Sequence, residues 1–181
     1  LYDGRAELEW ARESMNKALA DAPDPADRLA LAERTLMEPL DRAAEAAVMR
    51  ASRNVAAATA LIPLALVDVL AALTCNLRMV REISEIYGGR AGLVGSWRLM
   101  KAVAAHLVAT GAVAVADDLL GPMVGGGVLG KLSRRFGEGA VNGALTARVG
   151  VAAMEICRPL PFAERNAPKA STIVLGALKA W

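Results

Sequence analysis

Few side chains in this sequence are of types that do chemistry, and their spacing keeps them apart. The single histidine, His106, precedes Asp117-Asp118 by eleven residues. On a helix that is roughly three turns, too far for one metal ion to be shared. A satisfied core histidine and a helix-end carboxylate pair account for all three. Cys75 and Cys157 are the two cysteines, and neither a CxxC nor an HxxxH spacing occurs, so no zinc site is expected. Arg158 beside Cys157 would favour a thiolate, but a buried thiol at a helix end suits the apolar context better. Lone reduced cysteines fit a cytosolic face. Gly125-Gly126-Gly127 lacks the preceding strand and the lysine of a phosphate-cradling loop, so close backbone packing or a hinge is expected there. Nucleophile, base and oxyanion donors cannot be assembled from so few polar residues. The expectation is a non-enzymatic protein with no catalytic residues, no metal and no cofactor.

The remaining chemistry is recognition of charge. Arg98 and Lys101 stand beside Trp97, and Lys131, Arg134 and Arg135 stand beside Phe136. Aromatics next to Lys and Arg suit the headgroup layer of an anionic membrane. Each basic residue there is worth about 1 kcal/mol, so five could hold a domain at the surface. The plainer alternative is a solvated face with two core aromatics. A net charge of +2 is too small to argue for nucleic acid.

The elements that must position these residues are helical. The chain of 181 residues is 55% apolar, much of it alanine, and 4% aromatic. Such a composition favours closely packed helices, and no strand pattern survives anywhere. Residues 1–54 carry 8 Lys/Arg and 11 Asp/Glu, whereas residues 55–181 carry 13 and 8. The split predicts an amphipathic helical hairpin over 1–54 and an Ala/Gly-rich hydrophobic helical domain over 55–181. The fold class is all-α: a helical bundle with a central hydrophobic helix and an N-terminal, coiled-coil-like antiparallel hairpin.

In the hairpin, Leu8, Ala11, Met15 and Ala18 form one stripe. Asp24 is placed to cap a second helix that starts at Pro25. Its apolar face includes Leu29, Leu36, Leu40 and Ala47, the candidates for self-association into a homo-oligomer. Pro39 should bend or divide this helix, with Thr35 and Glu38 as a capping box that restarts it. The chain opens at Leu1 within a polar helical pattern and reads as a fragment of a longer protein.

Val55–Leu73, VAAATALIPLALVDVLAAL, is long enough to cross a bilayer. Asp68 argues against that, because a charge at bilayer depth costs about 2.5–3.5 kcal/mol. The expectation is a central core helix in which Asp68 pairs with a facing Arg or Asn. A colicin-like domain that inserts on opening is the rival. Gly88-Gly89 should end the next helix, a long helix should follow over Arg90–Asp118, and another over Gly137–Cys157. Gly139, Gly143, Ala147 and Gly150 on the latter let a neighbouring backbone approach closely. Arg158-Pro159-Leu160-Pro161-Phe162 ends it, and a short helix is expected over Ser171–Trp181.

Three runs carry a resemblance: Glu85–Arg90 (EIYGGR), Val115–Gly121 (VADDLLG) and Leu145–Phe162 (LTARVGVAAMEICRPLPF). Together they resemble the YcjF-like family of bacterial inner-membrane proteins over roughly residues 55–175. The last run, with Arg148, Arg158, Pro159 and Pro161 as structural residues, is the most specific. The resemblance implies a cytoplasmic helical domain tethered by transmembrane helices upstream, with a P-loop GTPase as a candidate partner. It implies no catalytic residues, and the chain has no GxxxxGK[ST] of its own. Scaffolding or shaping of an anionic membrane through self-association is the favoured function, with a GTPase adaptor as the alternative.

Overall fold

The computed structural model describes residues 6–19, 24–61, 65–89, 93–109, 128–162 and 168–179, and every regular element among them is helical. Helix α1 (Ala6–Leu19) is followed by α2 (Pro25–Ala32), whose N-cap Asp24 accepts a 3.1 Å hydrogen bond from the Ala26 amide. Both the cap and the proline at the first helical position are as the sequence predicts.

Pro39 neither breaks the chain nor restarts it. Glu33–Met37 widens into a π-helical turn, in which the Glu38 amide donates to the Glu33 carbonyl, and α3 (Glu38–Leu61) follows without interruption. A proline ring collides with the carbonyl four residues back and has no amide to offer it. One wide turn moves that carbonyl aside, so the helix continues. The expected capping box is absent: the Thr35 hydroxyl donates to the Leu31 carbonyl one turn back.

Val55–Leu73 is not one central helix. Helix α3 ends at Leu61 and α4 (Ala65–Ile86) begins after three residues that, Pro63 among them, lie outside the described ones. The apolar run is therefore the end of one helix and the start of another. Among the described residues no helix is long and apolar enough to cross a membrane. The central helix is α3 itself, which buries Leu40, Ala44, Ala47, Val48, Ala51, Ser52, Val55 and Thr59 at helical spacing. The division drawn between residues 54 and 55 falls inside it.

Helix α5 (Leu93–Ala109) follows the Gly88-Gly89 turn, where Gly88 takes φ 88° and the Gly89 amide donates to the Ser84 carbonyl at 2.7 Å. That positive φ is the C-terminal glycine conformation the sequence calls for. Residues 110–127, the second half of the long helix expected over Arg90–Asp118, lie outside the described residues, as do Asp117, Asp118 and the glycine triplet. Helix α6 starts at Val128, well before the Gly137 expected, and runs to Cys157. Helix α7 (Ala170–Lys179) lies on α3 and α6, burying Ile173 and Ala177.

The most extensive contact is between α3 and α6. A Cβ built on Gly139 would lie 2.6 Å from the Ala56 carbonyl oxygen, on Gly143 3.0 Å from that of Ser52, and on Gly150 2.5 Å from the Val48 methyls. Only glycine lets these backbones approach so closely, the close packing that the small-residue spacing predicts. The order of contacts makes the two helices antiparallel. Helix α4 also runs antiparallel to α3, tied by Arg50–Glu82 at 2.6 Å and Tyr87–Asp41 at 2.7 Å.

Candidate functional site

Two features stand out from the packed bundle: a buried charge cluster at one end and an apolar surface at the other.

The cluster is built around Arg158, whose side chain is 1% exposed. The chain leaves α6 there, and the arginine folds back on the turn that follows. Its Nη1 donates to the carbonyls of Leu160 (2.6 Å) and Pro161 (2.8 Å). Its Nε and Nη2 each donate to Asp41 at 3.0 Å, and Nη2 also reaches Glu33 at 3.2 Å. The Phe162 ring lies 4.2 Å from the guanidinium carbon. Burial works against the charge on Arg158, but the hydrogen bonds and charges of Asp41 and then Glu33 outweigh it and raise its pKa. Asp41 also accepts from the Tyr87 hydroxyl, and burial with that hydrogen bond pushes the phenol above its usual range. Arg158 thus holds together the π turn, α3 and the post-α6 turn, and Asp41 adds Tyr87 just past the end of α4. Sequence reasoning marked Arg158 and Pro161 as structural but missed Glu33, Asp41 and Tyr87, which lie 71 to 125 residues away.

A cleft of about 450 Å³ opens beside the cluster, lined by Glu33, Glu38, Asp41 and Glu45 with Arg34 and Arg42. Burial first, and then the Asp41 charge, raise the pKa of Glu45. Among the described residues no three His, Cys, Asp or Glu are placed to hold a metal ion. Burial pushes the Cys157 thiol up to about 11, the opposite of a reactive thiolate.

At the far end of α3, large apolar side chains face outward. Leu61 is 75% exposed, Val69 64%, Leu70 59% and Phe136 50%. The antiparallel pairing of α3 with α4 and α6 brings these to one end of the bundle. Arg135 is half-buried beside Phe136. Lys131 and Arg134 belong to the same turns of α6, with their side chains outside the described residues, as is that of Asp68. Trp97, Arg98 and Lys101 are exposed on the first turns of α5, next to the Tyr87 end, with the Lys101 ammonium 5.7 Å from the Trp97 ring. Trp97, Arg98 and Lys101 thus follow the Tyr87 end of α4, whereas Arg135 and Phe136 lie towards the Leu61 end of α3.

The self-association candidates also divide. Leu40 and Ala47 are buried in the core of the chain itself, and Leu36 packs half-buried against it. Leu29 is exposed on α2, which buries nothing. Trp10, unmarked in the sequence reading, is exposed on α1. Of the remaining structural residues, Arg148 is half-buried on α6, Pro159 is exposed, and the exposed Pro161 contributes its carbonyl to Arg158.

Residues 24–180 match the family described as a domain of unknown function, DUF697. The chain belongs to this family. It is 44% identical over 162 residues to a UPF0283 membrane protein of Rhizobium etli, covering 90% of the chain and 45% of that relative. It is 43% identical over 173 residues to one of Bradyrhizobium diazoefficiens (96% and 50%) and 45% identical over 158 residues to one of Agrobacterium fabrum (87% and 44%). The chain spans about half the length of these relatives. No solved structure matches. The chain is thus related to uncharacterised membrane proteins, as the resemblance led one to expect at that level.

Proposed function

We propose that this protein is a non-enzymatic, membrane-associated helical domain that scaffolds or shapes a membrane through self-association. The observation that carries the reading is the outward placement of Leu61, Val69, Leu70 and Phe136 on a bundle whose relatives are named membrane proteins. Large apolar side chains exposed towards one end of a folded domain suit a place where water is displaced by a partner or a lipid. In this reading the kinship extends to the YcjF-like proteins, and the domain lies at the cytoplasmic face of a bacterial inner membrane. Upstream transmembrane helices tether it and anionic lipid is its ligand. Self-association uses the arm of α1 and α2, through Trp10 and Leu29, because Leu40 and Ala47 are spent on the chain's own core.

Sedimentation velocity tests the arm. The chain is expected to sediment as a dimer or larger, and Leu29→Glu with Trp10→Glu as a monomer of unchanged helicity. Equal sedimentation of the two proteins would sink the self-association reading. The charged cleft beside Glu33 and Arg42 favours a second reading, an adaptor for a P-loop GTPase. That reading expects capture of the GTPase in the absence of lipid and loss of capture on reversing Arg42.

A further inference from the structure

We infer that α1 and α2 form an arm jointed to the bundle at the π turn, and that the Glu33–Arg158 ion pair is the catch that holds the arm in the position seen. The inference goes beyond the function proposed above and holds whether or not the arm self-associates.

The arm is attached at its base. Helix α1 packs on α2 and on the π turn, and α2 packs on α1 and on the π turn. Among the described residues neither helix makes a contact of like extent with α4, α5, α6 or α7. Helix α2 buries no residue, and Ala11 is the buried residue described on α1. Apolar burial against the bundle therefore does little to fix the arm, and its direction is set where α2 passes into α3.

That passage is where the helical ladder is weakest. The Glu38 amide reaches five residues back to the Glu33 carbonyl, the Thr35 hydroxyl donates to the Leu31 carbonyl, and Pro39 has no amide to offer Thr35. Wide turns, back-bonding hydroxyls and prolines are each places where helices bend. Here all three fall within residues 33–39. The bundle side of the joint is fixed, since Met37 and Leu40 are 2% and 3% exposed.

The catch can open without unfolding what it grips. Glu33 is the first residue of the π turn, and its carboxylate accepts from Arg158 Nη2 at 3.2 Å with 22% of the side chain exposed. Without Glu33, Arg158 keeps Asp41 at 3.0 Å from both Nε and Nη2, and the Leu160 and Pro161 carbonyls at 2.6 and 2.8 Å. The buried charge is then still compensated, so release costs far less than loss of Asp41, which stands on α3 within the bundle. The catch borders the cleft of about 450 Å³, where water can take the place of the lost partner. Opening it re-aims the outward face of the arm, which carries the exposed Trp10 and Leu29.

Double electron–electron resonance tests the joint in the 181-residue chain with Cys75 and Cys157 replaced by alanine. One spin-label pair, Asn16→Cys with Arg78→Cys, joins an exposed site on the arm to one on α4. The other, Arg78→Cys with Leu175→Cys, lies within the bundle. Labelled chain is diluted with unlabelled chain so that only distances within one chain are read. A bend of about 25° at the base of α2, a lever about 12 Å long, moves its end by about 5 Å. Glu33→Ala is therefore expected to shift or broaden the arm-to-bundle distance by about 5 Å and to leave the distance within the bundle unchanged. Glu38→Ala, which removes the exposed pair with Arg42 and leaves Arg158 untouched, should move neither. An unchanged arm-to-bundle distance in Glu33→Ala would overturn the catch, as would the same change in Glu38→Ala. A shifted distance within the bundle, or lost helicity, in Glu33→Ala would make Glu33 a prop of the bundle itself and also overturn the inference.

Discussion

Replacing Asp41 by alanine should cost about 3 kcal/mol of stability. Arg158 would lose the acceptor of two 3.0 Å hydrogen bonds, leaving Glu33 at 3.2 Å and two carbonyls around a guanidinium whose side chain is 1% exposed. Removing one partner of a buried ion pair costs about 3–5 kcal/mol, because the other charge stays buried without compensation. The Tyr87 hydroxyl loses its 2.7 Å acceptor in the same change. Asp41 borders an open cleft, however, so water can replace part of what is lost, and the lower end of the range applies. Urea unfolding followed by circular dichroism should show the midpoint falling by about 1–2 M, at a slope of about 2 kcal/mol per M. The companion is Asp41→Leu with Arg158→Met. If the cost comes from the orphaned charge, the double variant should be more stable than Asp41→Leu alone. A loss under about 1 kcal/mol for Asp41→Ala, or a double variant as costly as the two single changes added, would refute the reasoning.

Gly139→Ala should lower stability by about 2 kcal/mol, and the melting temperature by several degrees, although alanine is the better helix former by about 1 kcal/mol. The new methyl would meet the Ala56 carbonyl at 2.6 Å, and a backbone atom can yield only by parting α3 from α6. An unchanged melting curve would contradict the close approach. Cys157, with its thiol pushed up to about 11 by burial, should resist alkylation at pH 8 in the folded chain and react on unfolding. Because an acid with a raised pKa holds its proton longer in the folded state, its linkage makes stability fall as pH rises from about 9 towards 11. Abolishing that decline with Cys157→Ser is the check. Leu40→Glu should unfold the chain, since Leu40 is core, whereas Leu175→Glu, at an exposed site on α7, should leave its unfolding curve unchanged within about 0.5 kcal/mol.

Local signals in the sequence were sufficient wherever the physics is local. Asp24-Pro25 fixes where α2 begins, Gly88 supplies the positive φ that closes α4, and the small residues at 139, 143 and 150 set how closely α6 can lie to a neighbour. The all-α class follows from the same composition. Apolarity alone, by contrast, could not tell a buried run from an exposed one: Val55–Leu73 reads as a core helix, yet α3 ends at Leu61, α4 begins at Ala65, and Leu61, Val69 and Leu70 are exposed. Pro39 misled in the opposite direction, because a π turn absorbs it and the helix continues.

What the sequence by itself determined is therefore the set of helices, their caps and glycine contacts, since each depends on residues within a turn or two of one another. What only the tertiary structure decided is partnership across the chain. Leu29 and Leu40 share one amphipathic stripe, but α6 and its neighbours bury Leu40 and leave Leu29 in solvent. The basic residues on α5 and α6 look like one patch, yet Arg98 and Lys101 follow the Tyr87 end of α4 and Arg135 lies towards the Leu61 end of α3. Arg158 finds Glu33 and Asp41, and Asp41 the Tyr87 hydroxyl, only when the helices meet, because a buried guanidinium takes whatever acceptors packing delivers, and no spacing along the chain encodes that.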